Sequence, residues 1–141
     1  MKPVVKNTLA VIAGAVIGSL VNITLVNIGP YVVPLPEGAD ISTMEKLRES
    51  MQLFTPVNFL FPFLAHALGT LVGAYFAAGF ACSHHLKLAL IVGVLFLAGG
   101  ISAVNMLGGP TWFNVTDLML AYIPMSYLGA KLAGRASQKK I

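Results

Sequence analysis

The sequence predicts an all-α membrane protein: a four-transmembrane-helix bundle with a short amphipathic helix in the outer loop between helices 1 and 2. Three observations predict it. The 141 residues are 57% hydrophobic and only 10% charged, with a mean hydropathy of +0.82, against roughly 45–50% apolar and about 25% charged in a soluble domain. The apolar residues fall into long runs, each near the roughly 20 residues that one crossing needs. The charges lie almost wholly at the ends of those runs and are sorted by sign. Residues 1–141 read as one transmembrane domain.

The first run is Asn7–Ile28. Lys2 and Lys6 precede it as they would a signal peptide, but the stretch from Thr8 to Ile28 outlasts the roughly 7–15 apolar residues of such a signal, so it reads as a retained helix closed by Pro30. The outer loop, 29–55, follows. Pro30, Pro34 and Pro36 predict an extended first part. Ser42-Thr43-Met44-Glu45 then matches a capping box, and Met44, Leu47 and Met51 recur at helical spacing among Glu45, Lys46, Arg48 and Glu49, which predicts an amphipathic helix lying over the bundle. It either covers the helix ends or gates them.

The second run, Val57–Ala81, starts beside Pro56. The third, Leu88–Leu107, stops at Gly108-Gly109-Pro110, and the fourth, Trp112–Leu132, admits Asp117 near its start and Lys131 near its end. Trp112, Tyr31 and Phe113 fall where interfacial aromatics are expected. Pro62 and Pro124 each remove a helix donor, which frees the carbonyls of Asn58 and Leu120 and predicts bends that can line a cavity.

Lys2, Lys6, Lys87, Lys131, Arg135, Lys139 and Lys140 gather at one set of helix ends; Lys46, Arg48 and every acidic residue fall on the other side. The positive-inside rule then places both termini and the Cys82–Lys87 turn in the cytoplasm. The net charge of +4 is thus a product of topology and gives no reason to expect a nucleic-acid partner. The lone Cys82 has no disulfide partner. Cys82, His84 and His85 cannot close a tetrahedral metal site without a fourth ligand, so no metal centre and no cofactor are expected.

Small residues recur at four-residue spacing: Ala10, Gly14, Gly18; Gly69, Gly73, Ala77; and Gly129, Ala133. Such stripes let backbones approach closely in lipid, where no hydrophobic drive joins helices. They serve packing either within one chain or across a homodimer or membrane-protein partner.

Ionisable residues inside a membrane are costly unless paired or hydrated, and so point to function. Here they are His66, about 13 Å below the outer start of its helix, and Asp117, about 7 Å below the start of the fourth. Asn22, Asn58 and Asn105 share the same outer half. These five residues predict a polar ligand or proton site open to the outer face. The structural alternative is that His66 bonds a neighbouring helix and Asp117 sits at a helix N-terminus.

The stretch Phe61-Pro62-Phe63-Leu64-Ala65-His66-Ala67-Leu68-Gly69-Thr70-Leu71-Val72-Gly73-Ala74, with Pro34-Leu35-Pro36-Glu37-Gly38 before it and Asp117 and Tyr127-Leu128-Gly129 after, resembles a group of small uncharacterised bacterial inner-membrane proteins with four transmembrane helices. The resemblance implies a bacterial inner-membrane location and brings no activity. Small multidrug exporters share the size, but their first helix carries an embedded glutamate, and no Glu precedes Glu37 here; the polar motifs of double-barrelled fluoride channels are also not visible. Three functions fit: a small-solute or ion transporter or channel, an accessory or lipid-binding membrane protein, and a lipid- or quinone-directed enzyme with His66 as acid or base.

Overall fold

The computed structural model describes the backbone of residues 1–138 and the side chains of 1–134. Arg135, Lys139 and Lys140, which entered the charge argument, therefore lie outside the described side chains. Among the described residues every regular element is helical: α1 (Pro3–Val32), α2 (Met44–Ser50), α3 (Leu60–Phe80), α4 (His85–Leu107), α5 (Thr111–Leu120) and α6 (Ile123–Gln138), with 3-10 turns at Met51–Leu53 and Pro56–Phe59. Three helices, Pro3–Val32, Pro56–Phe80 with its leading turn, and α4, are long and apolar enough to cross a membrane. Their outward faces carry large apolar side chains such as Ile12, Val16, Leu20 and Leu95, all about half exposed, as befits helices that meet lipid.

α1 starts on Pro3, whose missing N–H is no loss in a first turn. It does not stop at Pro30 as the sequence suggested. Pro30 deprives only the Val26 carbonyl of its donor, and the helix closes again through Val33 N–H to the Gly29 carbonyl at 2.8 Å. At the other end of the bundle, Asn7 ties α1 to the α3–α4 turn: its Nδ2 donates to Ser83 Oγ at 3.0 Å and its Oδ1 accepts from Cys82 N–H at 3.0 Å. The turn itself is made by His84 in the left-handed region, at φ 56°.

The 33–55 connection is held by local polar contacts. Thr43, one residue later than the capping box suggested, caps α2 by accepting from Lys46 N–H at 3.2 Å. Ser42 instead donates its amide to Asp40 Oδ1 at 2.9 Å, and Ser50 Oγ bonds both backbone groups of Asp40. The Ser42 hydroxyl and amide, and after them the Lys46 ammonium, hold the Asp40 carboxyl down from 3.8 to about 2. Because the folded value is depressed, the contribution of these contacts is complete above the unfolded value and is lost as pH falls through the folded one. The Ser42 amide resonance is therefore expected to stay fixed down to about pH 3 and to move with a midpoint near the folded value of about 2, and Asp40→Asn should abolish that movement.

The chain enters α3 through the Pro56–Phe59 turn, which Asn58 closes: its Oδ1 accepts from Thr55 N–H at 2.9 Å and its Nδ2 donates to the Pro34 carbonyl at 3.2 Å. Pro62 stands in the first turn of α3, where a missing donor is tolerated. Gly108 and Gly109, at φ 73° and 88°, reverse the chain after α4.

The expected fourth span, Trp112–Leu132, is not one continuous helix. It parts into α5 and α6 at Ala121-Tyr122, where Pro124 removes the donor for the Leu120 carbonyl. Helical bonding is intact on either side, from Ala121 N–H to Asp117 and from Ser126 N–H to Tyr122.

α3 lies at the centre, packed by α1, α4 and α6. The small-residue stripes are the reason these helices approach so closely. α1 and α3 cross antiparallel, Gly14 on Gly73 and Gly18 on Gly69; a methyl group on Gly73 would stand 2.7 Å from the Gly14 carbonyl oxygen. Gly129 of α6 meets α3 in the same way, a methyl there standing 2.5 Å from the Leu71 carbonyl oxygen. Away from the 33–55 connection the interior is a cluster of Ala74, Ala78, Ala89 and Ala133, all nearly or fully buried. The sequence left open whether the stripes serve one chain or two. The glycines at these crossings are used within the chain.

Candidate functional site

Two turns into α3, His66 faces the middle of α5, where Asp117 points back toward it. His66 Nδ1 stands 2.8 Å from Oδ1 and 2.9 Å from Oδ2 of Asp117. The carboxylate is 4% exposed and the imidazole 23%. A third group joins them from the α5–α6 break: Tyr122, 2% exposed, donates its hydroxyl to Asp117 Oδ2 at 3.0 Å and stacks on the His66 ring at a centroid distance of 5.8 Å. Two devices make this possible. Breaking the helix at Ala121-Tyr122 turns Tyr122 inward, and Gly100 of α4 leaves the space that its hydroxyl end fills, since a methyl there would overlap the phenol. Thr70 Oγ1 donates to the His66 carbonyl at 2.7 Å and is itself fully buried.

Asp117 accepts a hydrogen bond from the Nδ1–H of His66 and so fixes the ring's orientation, much as a carboxylate orients a metal-binding or catalytic histidine. The other ring nitrogen is free. Nε2 has no partner among the described residues, yet it is not one of their buried unsatisfied atoms, so it opens into space. His66 lines a cavity of about 520 Å³, within the roughly 300–1,000 Å³ of small-molecule sites. Its walls are the last turns of α1, the first turns of α3 and α5, and the end of α4; Leu47 and Met51, from α2 and the turn after it, lie over it with Phe54. Apart from the His66–Asp117 pair its lining carries no charged group, and it holds no Ser, Thr or Cys. What the arrangement can do is hold a polar group at Nε2, or exchange a proton with it.

The other sequence-predicted residues fall in different places. Asn58 lines the cavity, but its side chain is engaged by Thr55 and Pro34. Asn22 is half-buried and packs against Gly69 at the α1–α3 crossing. Asn105 is exposed near the end of α4, outside the cavity. Instead the cavity is lined by Asn27 and Asn114, whose Nδ2 groups donate to the Ile23 and Gly108 carbonyls at 2.8 and 2.9 Å. Sequence reasoning missed these two, Tyr122 and Gly100. Tyr122 had a signal in Pro124 two residues on, whereas Gly100 had none beyond being one of a glycine pair.

A second depression, between the start of α1 and the end of α3, is a shallow groove whose lining has Lys6 and the N-terminus but no acidic partner. Among the described residues no three His, Cys, Asp or Glu side chains gather as a metal site. In the α3–α4 turn, His85 Nδ1 bonds the Ala78 carbonyl at 2.7 Å and His84 bonds Ser83 Oγ. No known protein family, curated protein or solved structure matches the chain.

Proposed function

We propose that the protein is a small-molecule binding and transport protein of a bacterial inner membrane, with four crossings, cytoplasmic termini, and a cavity facing outward. In this reading α5 and α6 together make the fourth crossing. The observation that carries it is the His66 ring, fixed through Nδ1 by Asp117 and lining a mostly apolar cavity under the 33–55 connection. Pockets of this composition, apolar with few convergent polar groups, are the usual form of ligand sites.

The interior beyond His66 is filled by Thr70, Ala74, Ala78 and Val92, each nearly or fully buried, which argues against a standing channel. Passage would need the cavity to open inward as it closes outward. The α5–α6 break, adjacent to both Asp117 and Tyr122, is the natural hinge for that movement. That same close packing also favours a second reading, a binding protein without transport. Flux in proteoliposomes separates the two.

Cysteine accessibility tests the cavity and its orientation. In a Cys82→Ser background, Asn27→Cys and Asn114→Cys are expected to react with a membrane-impermeant maleimide added outside intact cells or spheroplasts. Cys82 of the parent should react only after permeabilisation. Labelling of Cys82 from outside would reverse the orientation, and unreactive Asn27→Cys and Asn114→Cys would close the proposed cavity.

A further inference from the structure

Resting on the binding reading above, we propose that the cavity takes a neutral, mainly apolar molecule carrying a hydroxyl group, seated at His66 Nε2, and that it rejects ions and charged solutes.

Charge and hydrogen-bond sense together select such a ligand. The lining contains one group that can be a cation, His66, and one anion, Asp117, and they are already paired. A cationic ligand finds no carboxylate to meet, because Oδ1 and Oδ2 face His66 Nδ1, Oδ2 also accepts from Tyr122, and the side chain is 4% exposed. An anionic ligand at Nε2 meets an imidazole that Asp117 has already neutralised and comes under that carboxylate's repulsion, with no Lys or Arg in the lining to offset it. A neutral ligand suffers neither penalty.

The free polar atoms of the wall ask for a donor. Asn27, Asn58 and Asn114 each turn an N–H onto a backbone carbonyl, and Asn27 and Asn114 are left with side-chain oxygens that make no bond among the described residues. Neutral His66 likewise offers Nε2 as an acceptor; if the ring is protonated it becomes a donor. A hydroxyl satisfies either state, which a carbonyl or an ether does not. The remaining wall, including Leu47, Phe61, Val104 and Leu107, is apolar except for the hydroxyl of Tyr31, a residue 89% exposed. A volume of about 520 Å³, many times the roughly 30 Å³ share of one water in the liquid, suits a molecule with an apolar body and not a bare ion.

The test uses three probes of equal chain length, 1-octanol, octanoate and octylammonium, on the full chain in nanodiscs with 15N-labelled histidine, compared at equal concentrations in the lipid. Octanol is expected to shift the His66 Nε2 resonance saturably, with half-saturation at least tenfold below either charged probe. Filling the cavity with Val104→Trp, or more gently with Leu107→Phe, should remove the shift while the His66–Asp117 signals persist. If octanoate or octylammonium binds as well as octanol, the ligand class is wrong and the pocket survives. If no probe shifts His66, the binding reading falls with it. A shift that survives both cavity-filling variants would be a bilayer effect and would overturn the proposal.

Discussion

Gly18→Leu is expected to leave no folded protein in detergent, while Gly99→Leu leaves the unfolding midpoint within error of the parent. A Cβ on Gly18 would lie 2.5 Å from the Gly69 carbonyl oxygen and 2.9 Å from the Phe96 ring, whereas one on Gly99 meets nothing within 4 Å. The ring can rotate, but the carbonyl belongs to the backbone of the central helix and cannot yield without parting α1 from α3. Overpacking among movable side chains costs about 1–3 kcal/mol. Against a rigid backbone the cost is higher, and it falls on a fold whose whole stability is on the order of 5–15 kcal/mol. Thermal unfolding followed by circular dichroism measures both variants, and equal tolerance would mean that α1 docks on α3 by some other face.

Asp117→Asn is expected to lower stability by roughly 1–3 kcal/mol, the cost of leaving a buried donor unpaired, and to reverse the polarity of the cavity floor. Asparagine offers one acceptor where the carboxylate gave two, and Tyr122 and His66 compete for it. If the Tyr122 hydroxyl, 2% exposed, keeps the oxygen, the amide N–H₂ faces Nδ1. Nδ1 must then accept, and the proton moves to Nε2. The 15N resonances of His66 report the exchange directly, and octanol binding should persist, because a hydroxyl accepts from an Nε2–H as readily as it donates to a bare Nε2. Asp117→Ala removes both acceptors and should cost more, toward the 3–5 kcal/mol of a broken buried pair. Unchanged His66 resonances in Asp117→Asn would show that the carboxylate does not orient the ring.

The two residues at the heart of the site could be read from sequence because depth in a membrane is nearly a one-dimensional property. Counting residues from the end of an apolar run puts His66 and Asp117 in the same outer half, although they are 51 positions apart. Rotation about the helix axis is another matter. These helices are apolar nearly all round, so sequence does not say which side of α4 faces inward, and Asn105 shares that half yet lies on the outside. Small residues were the one rotational signal: Gly14, Gly18, Gly69 and Gly73 mark the α1–α3 crossing. Tyr122 escaped notice because a tyrosine in an apolar run is ordinary until the chain breaks beside it. Pro30 misled because a proline near a helix end frees a single carbonyl, which costs too little there to end the helix.

The length of α1 has a consequence of its own. Thirty residues at 1.5 Å span about 45 Å, against a hydrocarbon layer of about 30 Å, so the helix must lean or project from it. Its fixed point is the glycine crossing on α3, and its far end is a wall of the cavity. In a thinner bilayer such a helix is expected to lean more, and a pivot at the crossing would move that wall, which labelling of Asn27→Cys in bilayers of different tail length would read.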